Sequence, residues 1–177
     1  KNLSSQYIYT HALQVVDAHP GQILVHFQKI KYQEREKGYR MNHIGTREIA
    51  TERLTLRRFE IEDAENMFYN WANDPEVTKY LTWPAHESVD TTETILKEWI
   101  SKYDEKDFYQ WAIELNDLEQ PIGTISAIKT DERVESVEIG YCIGKRFWNN
   151  GYMTEALTAI IRFFINEVGA GRVWARH

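Results

Sequence analysis

VEIGYCIGKRFWNNGYMTEAL, residues 137–157, is the stretch on which the fold turns. SVEIGYCI, ending at Ile143, is an apolar, β-rich run that reads as a strand. From about Gly151 to Val168 the pattern changes to a helix, with Ala156, Leu157, Ile160, Ile161, Phe164 and Val168 on one apolar face and Gly169 as its stop. A strand that ends in a glycine-containing turn and opens a helix aims several backbone N–H groups at one point, with the positive end of the helix dipole behind them. Such contacts are worth roughly 0.3 to 1 kcal/mol each when exposed, so three or four together could anchor a pyrophosphate without a lysine. Gly151 lets backbone approach the anion closely, and Thr154 and Glu155 suit a helix first turn. Seen alone, the same turn is also readable as a capped helix start.

The preceding chain supplies the rest of a sheet. YQWAIEL and PIGTISAIKT are two β-rich runs split by the polar turn 116–120, and SVEIGYCI follows the charged break 131–133, giving a three-strand antiparallel meander. Upstream, TERLTLRRF alternates through Leu54, Leu56 and Phe59 and predicts a strand. Ala64, Met67, Phe68 and Trp71 then recur at helical spacing until Asp74 and Pro75. A second helix is expected over residues 88–103, capped by Ser88 or Asp90, with Val89, Ile95, Leu96, Trp99 and Ile100 on one side. RVWA, near the end, reads as one more strand. The expected fold class is therefore α/β (α+β), a mixed and mostly antiparallel sheet flanked by helices.

Whole-chain quantities limit what this sheet serves. At 177 residues with 42% hydrophobic content, one globular core is expected. No apolar run of about 18 residues exists, and the chain start lacks the order of a secretory signal, so a cytoplasmic protein with no membrane partner is expected. The single cysteine, Cys142, has no internal disulfide partner, and the six histidines show no short ligand spacing, so no metal is expected. A net charge of −6 argues against nucleic acid as a partner. Residues 1–40 carry +3 and residues 41–177 carry −9, an acidic body that suits cationic acceptors as readily as it suits mere solubility.

FWNNGYMTEAL resembles the W-G-K-G-Y-A-T-E-A signature of the GNAT superfamily of N-acetyltransferases, in its ribosomal-protein N-terminal (Rim-type) branch. VEIGYCIG resembles the strand before that signature, TERLTLRRFEIEDAENMFYNWANDPEV the opening strand and helix, and PIGTISAI the third strand, so the likeness covers roughly residues 46–177 in order. The resemblance implies acetyl-CoA as co-substrate and transfer of its acetyl group to a primary amine, either a protein N-terminus or a small molecule, by direct attack in a ternary complex. Trp148, Asn149, Asn150, Gly151, Tyr152 and Met153, followed by Thr154, fall on the positions that hold the CoA pyrophosphate. Cys142, Ile143 and Gly144 lie where a central strand, splayed by a bulge near Gly140, pairs with the pantetheine arm. Asn149 stands for a usual glycine, Asn150 for a usual basic residue and Met153 for a usual alanine or glycine.

Transfer to an amine requires a group that removes a proton from a normally protonated acceptor. Glu138, on the strand at the cleft, is the candidate base; the alternative is that it braces a neighbouring strand. No adjacent histidine would activate the Cys142 thiol as a nucleophile. Tyr80, Trp83 and His86, in KYLTWPAHES, are candidate acceptor-binding residues by the same resemblance, with packing between helices as the alternative, which is favoured for Tyr80. Two domains of unequal standing are expected: an N-terminal extension over residues 1–40, and the acetyltransferase domain over residues 41–177, whose closing strands are expected to be missing. QILVHFQKIKYQ could replace them from the same or a neighbouring molecule, so a homodimer or strand exchange stays open. A CoA-binding sensor or interaction domain with little turnover is the alternative function. Another nucleotide is disfavoured because neither a Walker-type lysine nor a dinucleotide glycine pattern accompanies the turn.

Overall fold

The computed structural model describes residues 40–79 and 81–175 in full, and 11–17 and 23–29 as backbone strands. Among the described residues, eight strands form one sheet in the order β1-β2-β8-β7-β6-β5-β4-β3. They are β1 His11–Asp17, β2 Ile23–Lys29, β3 Ile49–Ala50, β4 Leu54–Arg57, β5 Gln110–Leu115, β6 Gln120–Asp131, β7 Ser136–Ile143 and β8 Arg172–Ala175. Neighbours pair antiparallel except β7 and β8, which run parallel because helix α4, Tyr152–Phe163, returns the chain between them. The expected β5-β6-β7 meander is present. The hairpin β1–β2 extends the sheet beyond β8 through Phe27↔Val173 and Gln28↔Arg172.

Period-two alternation sorts the central strands onto two faces. Trp111, Ile113, Val137 and Ile139 join Leu54, Leu56 and the α4 residues Ala156, Leu157, Ile160 and Ile161 in the larger core. Ala112 and Cys142 face the other way, into a smaller cluster with Ala64, Met67, Trp71 and Leu96. Ala64 and Met67 belong to α1 (Ala64–Met67), Trp71 to the turn after it, and Leu96 to α3 (Val89–Ser101). Ser88 caps α3, its side chain accepting from the Thr91 amide. Leu96 is buried as expected, whereas Ile100 is 36% exposed and lies at the rim of the apolar stripe.

The helix expected over residues 63–71 is divided. A 3-10 turn at Ile61–Asp63 precedes α1, and a π-helical turn, Phe68–Ala72, follows it. Asp74 and Pro75 end this segment and also start the short α2, Pro75–Thr78, whose cap is Asp74 accepting from the Glu76 amide at 2.8 Å. The segment is fastened to the sheet by Arg57, which donates to both Asp63 oxygens at 2.7 and 2.8 Å and to Glu114 at 2.6 Å. The hydrogen bond to Asp63 outweighs burial and keeps the guanidinium charged.

The sheet irregularity sits opposite the expected place. Between Ala127 and Lys129 the pairing of β6 with β7 slips by one residue, so the extra residue is Ile128 on β6 and not one beside Gly140 on β7. A Cβ built on Gly140 would lie 2.5 Å from Ile128 Cδ1. Gly140 is thus the space into which the bulged side chain leans. Among the described residues, no helix is long and apolar enough to cross a membrane.

Candidate active site

Helix α4 begins at an unusual corner. Gly151, its N-cap, has φ +79°, a left-handed conformation that costs an L-residue side chain but not glycine. No side chain caps the helix, and the amides of Tyr152, Met153 and Thr154, in its first turn, have no intrahelical acceptor. Asn149 also lies in the left-handed region, at φ 61°. Asparagine is among the few residues that visit this region readily, which explains why it can stand where the resembling signature has glycine. Trp148, Asn149, Asn150 and Gly151 are all solvent-exposed, while Tyr152 and Met153 are half-buried.

The carbonyls of this turn are fastened by side chains. Asn150 Nδ2 donates to the Trp148 carbonyl at 2.9 Å, Arg53 Nη1 donates to the Asn150 carbonyl at 3.0 Å, and Trp148 Nε1 donates to the Ile143 carbonyl at 2.8 Å. Arg53 also binds Glu155, through Nε at 2.8 Å and through its own backbone amide at 2.9 Å, and Thr51 Oγ1 donates to the same carboxylate at 2.6 Å. Burial works against the charge on Glu155, but these bonds prevail and hold its carboxyl below the usual range. A donor set of uncapped helix amides at an exposed corner fits a pyrophosphate, which needs several converging N–H groups and room for a charged chain.

Strand β7 leads into that corner. Its pairing with β8 runs from Ser136↔Arg172 to Ile139↔Ala175, whereas its pairing with β6 continues to Gly123↔Ile143. Among the described residues, Gly140–Ile143 therefore have a strand on one side only. Cys142 and Ile143 close β7, and Gly144 follows it. The Ile143 carbonyl accepts from the Trp148 indole, joining the strand end to the phosphate turn. Burial pushes the Cys142 thiol up to about 12, partly offset by a bond with the Thr124 backbone, so the group is an inert thiol at neutral pH.

Glu138 sits one residue before the last β7–β8 pair, on the face opposite Val137 and Ile139, and is only 5% exposed. Its register partners are Lys129 on β6 and Trp174 on β8. With Asp131 and Ser136, these residues line a cavity of about 130 Å³. Trp83 packs against the cluster that holds Cys142, and its ring lies 5.0 Å from that of His86. The His86 amide donates to the Ala72 carbonyl at 2.8 Å, and its Nδ1 is 2.8 Å from Thr92 Oγ1. Burial lowers the His86 pKa, favouring the neutral ring. Trp83, His86, Glu138 and Cys142 thus share one side of the sheet, while Tyr80 lies outside the described residues. Thr51 and Arg53 were not singled out by sequence reasoning, because only the folded chain brings them to Glu155, about a hundred residues away.

A family profile described as "Acetyltransferase (GNAT) domain" matches residues 53–177. The chain is 32% identical over 127 residues to the uncharacterized N-acetyltransferase YoaA of Bacillus subtilis, covering 72% of this chain and 71% of that one. Among solved structures, an acetyltransferase (GNAT family) from Bacillus anthracis superposes with a TM-score of 0.63 at 23% identity, covering 73% of this chain and 72% of that one. RimL, a ribosomal L7/L12 alpha-N-protein acetyltransferase in complex with coenzyme A, superposes with a TM-score of 0.63 at 16% identity over 73% of both chains.

Proposed function

We infer, since the chain belongs to the GNAT acetyltransferase family, within reach of its Rim-type branch, and is an acetyl-CoA-dependent acetyltransferase, that its acceptor is a primary amine attacked in a ternary complex. The observation that carries the reading is the continuity of three features: the uncapped amides at the start of α4, strand β7 running toward them through Cys142 and Ile143, and the buried Glu138 on that same strand. Acetyl-CoA supplies the acetyl group as a thioester. The amides of residues 149–154 hold its pyrophosphate, and the backbone of Cys142, Ile143 and Gly144 pairs with the arm and polarises the carbonyl oxygen. Glu138 takes the proton from the ammonium form of the acceptor, directly or through water, so that a neutral nitrogen attacks. A C–N bond forms as the C–S bond breaks, and coenzyme A leaves as a thiolate that takes up the proton the new amide nitrogen sheds.

The acceptor enters from the face of Trp83 and His86. A neutral His86 adds no positive charge to that approach, and the −9 carried by residues 41–177 draws a cationic amine toward it. The ribosomal-protein acceptor of RimL makes a protein N-terminus the first candidate, with small-molecule amines beside it. The catalytic domain in this reading is 41–177, and residues 1–40 are an extension whose β1–β2 hairpin lengthens the sheet beyond β8.

Calorimetric titration with acetyl-CoA, followed by thiol release with N-terminal peptides and polyamines as acceptors, tests the proposal. Glu138→Gln should leave CoA affinity intact and lower turnover by about 10² or more. Equal turnover in the two forms would remove Glu138 from the mechanism.

A further inference from the structure

The bonds around Arg53 do more than join two elements. In a trans peptide the C=O and the following N–H point in opposite directions, and the described chain contains no cis peptide. Fixing a carbonyl therefore fixes the next amide. Arg53 Nη1 holds the Asn150 carbonyl at 3.0 Å, so the Gly151 N–H is turned away from the guanidinium. By the same geometry, Asn150 Nδ2 on the Trp148 carbonyl turns the Asn149 N–H away from the Asn150 side chain.

The guanidinium itself is well anchored. Its Nε and Nη2 both meet Glu155 Oε2 at 2.8 Å, and its plane lies over the Tyr152 ring, 4.6 Å from the centroid. Glu155 is held in turn by Thr51 and by the Arg53 backbone amide. Arg53 enters β4 as the residue before Leu54, which is fully buried, so the anchor stands on the rigid edge of the larger core. Its donors are already directed at Glu155 and Asn150, which distinguishes it from a side chain reaching for a phosphate.

We propose that Arg53 is a positioning residue for acetyl-CoA: braced by Glu155 and Thr51, it orients the Asn150–Gly151 peptide so that the amides of the phosphate turn are set before the pyrophosphate arrives. The inference rests on the acetyltransferase reading of that turn. A preset cradle loses less conformational entropy on binding than one that must be ordered by its ligand.

The test is calorimetric titration of the full chain with acetyl-CoA, using the parent protein, Arg53→Ala and Arg53→Lys, with melting curves and steady-state thiol release beside it. The alanine form should bind roughly tenfold more weakly, the loss expected for one charge-assisted bond that orients a ligand-binding amide. Lysine keeps the charge but has no fork to span Glu155 and Asn150 together, so its loss should be smaller, and it provides a folded comparison should the alanine form unfold. The KM for acetyl-CoA should follow the dissociation constant while kcat at saturation holds. Dissociation constants within about twofold of the parent in both variants, or a fall in kcat with affinity unchanged, would overturn the inference and leave the acetyltransferase reading standing. Failure of the parent protein to bind acetyl-CoA would overturn both.

Discussion

Replacement of Gly151 separates the conformational role of the phosphate turn from its bulk. A Cβ at this position meets only Arg53 Nη2, at 3.6 Å, which is ordinary contact, so an alanine is not excluded by space. What it meets is φ +79°. An L-residue there costs about 1 to 2 kcal/mol, and a β-branched one more. Two responses are open: the turn keeps its shape and the protein loses that much stability, or the turn relaxes and the amides lose their aim. Three or four amide contacts at roughly 0.3 to 1 kcal/mol each set the second loss at about 1 to 4 kcal/mol, or about five- to a thousandfold in affinity. The series Gly151→Asn, Gly151→Ala and Gly151→Val should therefore descend in that order, because asparagine tolerates the left-handed region, as Asn149 does at φ 61° two residues earlier. Acetyl-CoA titration and urea unfolding of each variant give the two losses separately. Parent-like affinity and stability in the valine form would refute the backbone argument, and so would an asparagine form worse than the alanine one.

Two further outcomes follow from displaced titrations. With its pKa near 12, Cys142 should be thiolate to only about one part in 10⁴ at pH 8, and it is buried as well; an aromatic disulfide reagent should label it at the rate of unfolding, and rapid labelling of the native protein would contradict its placement. His86 has a lowered pKa, so its neutral form is favoured in the fold. Its contribution is fully present above the unfolded value of about 6.5 and is lost as pH falls through the lower native value. Urea unfolding between pH 8 and 5 should show a steeper acid decline in the parent protein than in His86→Gln, and parallel declines would place the titration elsewhere.

Much of this architecture was legible before folding. Alternation through Leu54, Leu56 and the β5-β6-β7 runs, separated by polar turns, carries a period that few other structures share, and the helical stripe from Ala156 to Val168, which runs through α4 into the π-helical turn Phe164–Val168 that follows it, is long enough to be unambiguous. The features that escaped depend on partners distant in sequence. Phe68–Ala72 has helical spacing, but its widening into a π turn depends on how Trp71 and Ala72 seat in the smaller cluster. Ile100 continues the α3 stripe in sequence and yet lies at its rim, because burial depends on how far the opposing surface reaches. Thr51, Arg53 and Glu155 carry no periodic signal, and their meeting is a product of β4 lying beside the start of α4.

The bulge expected near Gly140 on β7 lies on β6 instead. Gly140 marks β7 as irregular in sequence, since a glycine inside a strand suggests a bulge or a close approach. Here it is the close approach, and the extra residue is Ile128 on β6, an apolar side chain left 59% exposed on the face of Glu138 and Cys142. Register makes the consequence explicit: residues 136–138 pair with 131–129 and residues 139–143 with 127–123, so β6 carries one residue more than β7 at this point. An added residue bends the strand that carries it and increases the local twist. Because β7 is bonded to β6 on both sides of the bulge, it must follow that bend. Gly140 makes room for Ile128, and the irregularity itself is written in β6.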